Sequence, residues 1–128
     1  MDLLTKIKNR QALVGIIGLG YVGLPLVLRF CEVGFPVLGF DTDPRKVGLL
    51  DRGESYIKHI PSELLAEARQ SREGKGQFSA TTDMARLGEP DVLIICVPTP
   101  LTPKREPDLR YVENTARQIA ETLRPGQL

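Results

Sequence analysis

Cysteine and histidine are scarce in this chain of 128 residues: Cys31, Cys96 and His59 are the whole supply. Two cysteines without paired spacing build neither a disulfide scaffold nor a zinc site, and they suit a reducing, cytoplasmic setting. A lone histidine has no partner from which to assemble a Ser-His-Asp set or a metal cluster, so His59 reads as a loop-packing or surface residue. Charge of one sign is missing too. The 17 basic and 16 acidic residues leave a net charge of +1, with no block of like charge and no basic surface interleaved with aromatics. The electrostatic grounds for a nucleic-acid or membrane-surface partner are therefore absent. Repeats and low-complexity tracts are absent as well. A length of 128 residues with 41% hydrophobic content describes one globular domain, too small for a multidomain enzyme.

One stretch imitates a targeting signal. Gln11–Leu28 carries no charge and follows Lys6, Lys8 and Arg10. Gly15, Gly18, Gly20, Gly23 and Pro25 interrupt it, at about 1 kcal/mol per glycine and about 3 for an interior proline in a helix. A strand, a tight turn and a helix fit it better than a membrane span or a signal peptide.

The chain then alternates. Residues 12–18 form a β-rich apolar run without polar alternation, as in a strand buried on both faces of a parallel sheet. Residues 21–33 have helical spacing, with Val22, Leu26, Phe30 and Val33 on one face; Pro25 requires a start near Gly20, and Gly34 closes the helix. A second strand spans 36–40, ending at Asp41. Thr42-Asp43-Pro44 opens a helix to about Leu50. A loop over 51–60 and a helix over 61–72, with Leu64, Leu65 and Ala68 inward, lead to a short strand near 77–80. Thr82-Asp83 caps a brief helix ending at Gly88. Residues 91–97 form the longest apolar strand, followed by a proline-rich loop (98–107). Asp108 caps a last helix with Leu109, Val112, Ala116, Ile119 and Leu123 on its core face. Asp2, Lys6 and Lys8 form an exposed start.

This order predicts an α/β, Rossmann-like doubly wound parallel sheet in three layers, with strand order 3-2-1-4. The 92–97 strand stands at the edge, an invitation to pair with another chain. A further strand is due at Gln127–Leu128, so the sequence reads as an N-terminal piece of a longer protein.

Gly18-Leu19-Gly20-Tyr21-Val22-Gly23 is a G-x-G-x-x-G between a buried strand and a helix, with Asp41 about twenty residues on, at the end of the next strand. Gly18 permits the tight turn, Gly20 lets backbone approach a pyrophosphate and Gly23 lets helix pack on strand. The helix N-terminus offers N–H groups and partial positive charge to phosphates. Asp41 is placed to bind the adenosine ribose and to repel a 2′-phosphate, which favours NAD over NADP; Arg45 and Lys46 nearby could instead accommodate that phosphate. Val97-Pro98-Thr99-Pro100 leaves the fourth strand at the topological switch point, where the prolines hold the Thr99 hydroxyl toward a ribose or nicotinamide; a stiff connector is the alternative. Cys31 and Cys96 read as packing residues, one on a helix and one in a strand.

Gly15–Leu26, Gly39-Phe40-Asp41 and Cys96–Pro100 together resemble the UDP-glucose/GDP-mannose dehydrogenase family. Gly53–Ile60 and Pro98–Leu109 look most like its UDP-N-acetylglucosamine 6-dehydrogenase branch. The resemblance implies oxidation of C6 of a nucleotide sugar from alcohol to carboxylate, with two NAD in succession and a covalent cysteine thiohemiacetal, in nucleotide-sugar metabolism and polysaccharide biosynthesis. It also implies a homo-oligomer. Backbone at Tyr21 and Val22 would then contact the pyrophosphate, Lys46 would flank the ADP half, and Val97, Pro98 and Thr99 would face the nicotinamide side. Family members carry their catalytic cysteine in a glycine-rich motif of a further domain, and neither Cys31 nor Cys96 sits in one. A β-hydroxyacid dehydrogenase domain and a nucleotide-binding module without chemistry stay open as alternatives.

Overall fold

The computed structural model describes residues 1–70 and 74–128. Strands β1 (Val14–Ile17), β2 (Val37–Phe40), β3 (Phe78–Thr81) and β4 (Val92–Ile95) form one sheet. All three pairings are parallel and the order is β3-β2-β1-β4, the expected Rossmann-like arrangement. Parallel neighbours need crossovers. Helix α2 (Gly23–Glu32) joins β1 to β2, α3 (Pro44–Asp51) and α4 (Ser62–Ala68) join β2 to β3, and a 3₁₀ turn (Met84–Gly88) joins β3 to β4. Helix α1 (Leu3–Lys8) precedes the sheet and α5 (Arg110–Thr122) follows it.

Side chains alternate across the sheet and feed two cores. On one face Val14, Ile16, Val37 and Phe78 pack with Leu24, Val27 and Cys31 of α2, Leu50 of α3 and Leu65 of α4. On the other, Ile17, Leu38 and Phe40 pack with Leu87, against which Leu93, Val97 and Ile119 lie half-buried. The result is a three-layer α/β/α sandwich.

Helix α2 starts three residues later than Gly20, because residues 18–22 are used by the turn that crosses from β1. Pro25 still falls in the first turn, where a missing N–H costs least. The buried stripe is Gly23, Leu24, Val27 and Cys31, adjacent to the one expected; Val22 is 64% exposed. The end of α2 is as predicted. Gly34 adopts φ +104°, its N–H donates to Cys31 O, and the Phe35 N–H donates to Phe30 O. The edge-to-face Phe30 and Phe35 rings, 5.9 Å apart, supply the apolar contact that accompanies this cap.

Other boundaries shift for physical reasons. Asp43 caps α3 through the Arg45 N–H at 2.9 Å, with Pro44 in the first turn, and Asp83 caps the 3₁₀ turn through Ala85 N–H at 3.0 Å, both as expected. Helix α4 is short and buries only Leu65 and Ala68, leaving Leu64 exposed; positions 71 and 72 of the expected helix lie outside the described residues. Strand β4 is half-buried rather than enclosed, because it is an edge. On its outer side Leu128 N–H donates to Asp91 O and Leu93 N–H to Leu128 O. Helix α5 packs chiefly on the 3₁₀ turn. Of its expected core face, Val112 and Ile119 are half-buried, whereas Leu109, Ala116 and Leu123 are exposed and Thr115 is buried instead. Asp108 accepts the Arg110 N–H at 3.1 Å and pairs with its guanidinium, while Leu109 occupies the cap position.

The N-terminal segment is also more than an exposed start. Asp2 caps α1 through Thr5 N–H, and Lys6 reaches back to Asp91 at 2.9 Å. The nearly buried Asp91 carboxylate also accepts Leu13 N–H at 2.9 Å and the Arg124 guanidinium at 3.2 Å. Three distant segments thus meet on one charge at the amino ends of β1 and β4.

Candidate functional site

The turn between β1 and α2 is shaped by what its glycines touch. Gly18 adopts φ +98°, and a Cβ there would stand 2.5 Å from Cys96 O and 3.0 Å from Val97 N. The first glycine is thereby pressed against the exit of β4. A Cβ on Gly23 would stand 1.8 Å from Gly18 O, so the turn closes onto the helix only if that position has no side chain. Gly20 differs: a Cβ there would meet nothing within 4 Å. The space above it is open. Two glycines therefore serve the fold and the third leaves room beside the mouth of α2, where a helix N-terminus presents N–H groups and partial positive charge. Tyr21 and Val22 are 75% and 64% exposed there.

Asp41 stands at the carboxyl end of β2 with a side chain 11% exposed. Its Oδ2 accepts the Leu19 N–H at 3.0 Å and its Oδ1 accepts the Asp43 N–H at 2.9 Å. One acceptor site per oxygen is left for a ligand hydroxyl. Lys46 Nζ lies 4.0 Å from Asp41 Oδ2 and 5.7 Å from the centre of the Tyr56 ring. Gly20, Tyr21, Lys46 and Tyr56 border a hollow of about 300 Å³, closed by Asp43, Arg45, Leu49 and Ile57. Arg45 is exposed.

Of the residues singled out from sequence, Gly18, Gly20, Tyr21, Val22, Gly23, Asp41 and Lys46 come together at this end of the sheet. Val97, Pro98 and Thr99 leave β4 on the other side of Gly18, with Pro98 and Thr99 exposed, so they flank the turn without bordering the hollow. The loop beyond them is folded on itself. Thr102 N–H donates to Glu106 O at 2.8 Å, Asp108 N–H donates to Pro100 O at 2.7 Å, and Leu101 and Pro107 form an isolated bridge. A smaller hollow of about 190 Å³, bordered by Leu28, Cys31, Leu64 and Ala68, lies between α2 and α4, away from the carboxyl ends of the strands.

Sequence reasoning passed over Tyr56. Its hydroxyl donates to Leu19 O, and burial, then the charges of Asp41 and Asp43, raise its pKa above the usual phenol value, keeping the donor proton in place. The only signal was a tyrosine in a chain with 5% aromatics, inside a loop otherwise noted only for its resemblance.

The thiols are unsuited to ready attack. Cys31 is buried, and burial pushes its pKa up to about 12; burial also raises that of half-buried Cys96. A nucleophilic cysteine needs the opposite shift. His59 is exposed. Among the described residues no group of three His, Cys, Asp or Glu side chains is placed to hold a metal ion, and no helix is long and apolar enough to cross a membrane.

The turn, the acidic strand end and the open space over Gly20 fit a dinucleotide, and known proteins agree. Residues 12–128 match the family model described as "UDP-glucose/GDP-mannose dehydrogenase family, NAD binding domain". The UDP-N-acetyl-D-mannosamine dehydrogenase of Escherichia coli K12 is 37% identical over 117 residues, which cover 91% of this chain and 26% of that protein. The NDP-N-acetyl-D-galactosaminuronic acid dehydrogenase of Ralstonia nicotianae is 34% identical over 116 residues, 90% of this chain and 26% of its own length. Among solved structures, GDP-mannose dehydrogenase from Pseudomonas aeruginosa superposes with a TM-score of 0.77 at 34% identity, over 88% of this chain and 25% of that one. This chain spans about a quarter of the length of these relatives. The β-hydroxyacid dehydrogenase alternative gives way to these matches. The cofactor of the matched domain is NAD, and the chain belongs to the UDP-glucose/GDP-mannose dehydrogenase family, whose NAD-binding domain its residues 12–128 match.

Proposed function

We propose that residues 1–128 are the NAD-binding domain of a nucleotide-sugar 6-dehydrogenase whose substrate is a UDP-N-acetylhexosamine. The observation that carries this reading is the contrast between crowded Gly18 and Gly23 and open Gly20, set beside a carboxylate with acceptor sites to spare. The amino-sugar names of the relatives from Escherichia coli and Ralstonia nicotianae support the substrate class.

In this reading the backbone at Gly20, Tyr21 and Val22 holds the pyrophosphate and Asp41 accepts from the adenosine ribose hydroxyls. Lys46 flanks the ADP half, and Val97, Pro98 and Thr99 border the nicotinamide side. NAD would accept the hydride in each of two oxidations, first of the C6 alcohol to an aldehyde and then of the aldehyde's cysteine thiohemiacetal to a thioester, which water would hydrolyse to the carboxylate and free thiolate. Holding that aldehyde between hydride transfers calls for a thiolate, and the alcohol proton calls for a base. Burial raises the pKa of Cys31 and Cys96, and exposed His59 does not border the hollow beside Gly20, so this chain positions the cofactor and the remaining chemistry comes from elsewhere in a longer, homo-oligomeric cytoplasmic enzyme.

The test is NADH formation at 340 nm by the purified chain with UDP-N-acetylglucosamine, UDP-N-acetylgalactosamine, UDP-glucose and GDP-mannose. Cofactor binding without turnover is the expected result. Turnover that disappears on Cys96→Ser or Cys31→Ser would overturn the division of labour proposed here. The module without chemistry differs from this reading only in the longer enzyme, where it predicts no sugar oxidation at all.

A further inference from the structure

Leu19 lies between the first two glycines of the turn, and its peptide groups are tied on both sides. Its N–H donates to Asp41 Oδ2 at 3.0 Å, and its carbonyl accepts from the Tyr56 hydroxyl. The two anchors come from different places: Asp41 from the end of β2, Tyr56 from the loop between α3 and α4. They are also joined to each other, because Lys46 Nζ sits over the Tyr56 ring and 4.0 Å from Asp41 Oδ2. Leu19 itself is fully buried in the core that contains Leu24 and Leu50, so its side chain already fixes the turn from below. The hydroxyl of Tyr56 adds a constraint from above, and the ring borders the hollow beside Gly20.

We propose that Tyr56 is a positioning residue for the dinucleotide: by holding the Leu19 carbonyl it fixes the Leu19–Gly20 peptide, so that the backbone beside open Gly20 stays aimed at a pyrophosphate while the ring and Lys46 wall the adenosine side. This rests on the cofactor reading above. A peptide unit carries its carbonyl and the following N–H on one rigid plane. Restraining the Leu19 carbonyl therefore restrains the Gly20 N–H, which belongs to the residue whose Cβ position is open. A turn held in its binding geometry before the ligand arrives gives up less conformational freedom on binding.

The substitution Tyr56→Phe removes the hydroxyl and keeps the ring and its cation contact; Tyr56→Leu removes both. For wild type and each variant, calorimetry gives the affinities for NAD, ADP and nicotinamide mononucleotide. Amide hydrogen exchange of the unliganded chain reports on positions 19–22, and a melting curve reports on the fold. Tyr56→Phe is expected to weaken NAD and ADP by the same factor, roughly three- to tenfold for one lost hydrogen bond, and to leave nicotinamide mononucleotide unchanged. Exchange at Gly20 should quicken while the melting midpoint stays within about 5 °C of wild type, the shift of one lost hydrogen bond in a domain of this size. Tyr56→Leu should weaken ADP further. Wild-type affinity for NAD and ADP in Tyr56→Phe, or unchanged exchange at Gly20, would overturn the proposal. Failure of the wild-type chain to bind NAD would retire the cofactor reading instead, and the exchange comparison would then decide the clamp alone.

Discussion

Asp41 and Leu19, in consecutive strand-to-helix connections, are joined by a carboxylate-to-amide hydrogen bond of 3.0 Å. The residue proposed to bind the ribose is thus also a brace for the glycine turn. Replacing Asp41 by Ala is expected to weaken NAD by about 1–3 kcal/mol, the scale of a lost charged hydrogen bond. Exchange of the Leu19 amide should quicken in the same variant without ligand. Calorimetry and exchange measured together check this, and a loss of affinity with unchanged exchange would mean that the brace is unimportant.

The glycines give a paired prediction. Gly23→Ala places a Cβ 1.8 Å from Gly18 O, a backbone atom that cannot step aside, so the variant should be destabilised by several kcal/mol or fail to fold, on the scale of severe overpacking. Gly20→Ala meets nothing within 4 Å and should melt within about 0.5 kcal/mol of wild type, as substitutions in open surroundings do. It should nonetheless lose most NAD affinity, because the methyl group occupies the approach of the pyrophosphate. Melting curves and titrations of the two variants separate the fold from the site.

Acid should also weaken the opposite end of the sheet. Burial opposes the Asp91 charge, but the hydrogen bonds from Lys6, Leu13 N–H and Arg124 outweigh it and hold the carboxyl below its usual value. A carboxyl with a depressed folded-state pKa stabilises the fold at pH above its unfolded value near 4, and that contribution fades as pH falls toward the folded value. Denaturant midpoints measured between pH 7 and pH 3 should therefore drop more steeply for wild type than for Asp91→Asn. At pH 7 the Asn variant should be less stable by about 1–3 kcal/mol, since Lys6 and Arg124 lose their shared partner while staying part-exposed.

The outer edge of β4 should find a partner. Ile95 of β4 is exposed, and among the described residues only Leu128 bonds to that edge. A strand edge with so few main-chain partners and an exposed apolar side chain pairs with other chains. Size-exclusion chromatography over a range of concentrations should show self-association that Ile95→Lys reduces. A monomer at every concentration would contradict this.

What could be read from sequence followed from strong local constraints. An unbroken apolar run such as Val92–Val97, a glycine at φ +104° after α2, or Asp43 ahead of Pro44 leaves the backbone few choices, so strand order and most caps were legible. The start of α2 was not, because its apolar residues form two adjacent stripes and only the crowding of Gly23 against Gly18 O shows where the helix begins. The face of α5 was misjudged since an edge strand offers it little to cover. The contacts of Lys6, which reads as part of an exposed start, and of Tyr56 were hidden for another reason: each acts on a partner 85 or 37 residues away, a separation at which spacing rules are silent.

The most direct test of the central claim is a calorimetric titration of the wild-type chain with NAD and, separately, NADP. The Asp41 carboxylate, with a side chain 11% exposed, should bind the ribose hydroxyls and repel a 2′-phosphate, so NAD should bind at least about tenfold more tightly, a difference of about 1.4 kcal/mol. Equal affinities, with Arg45 and Lys46 compensating the phosphate, or no measurable binding of NAD, would contradict the account.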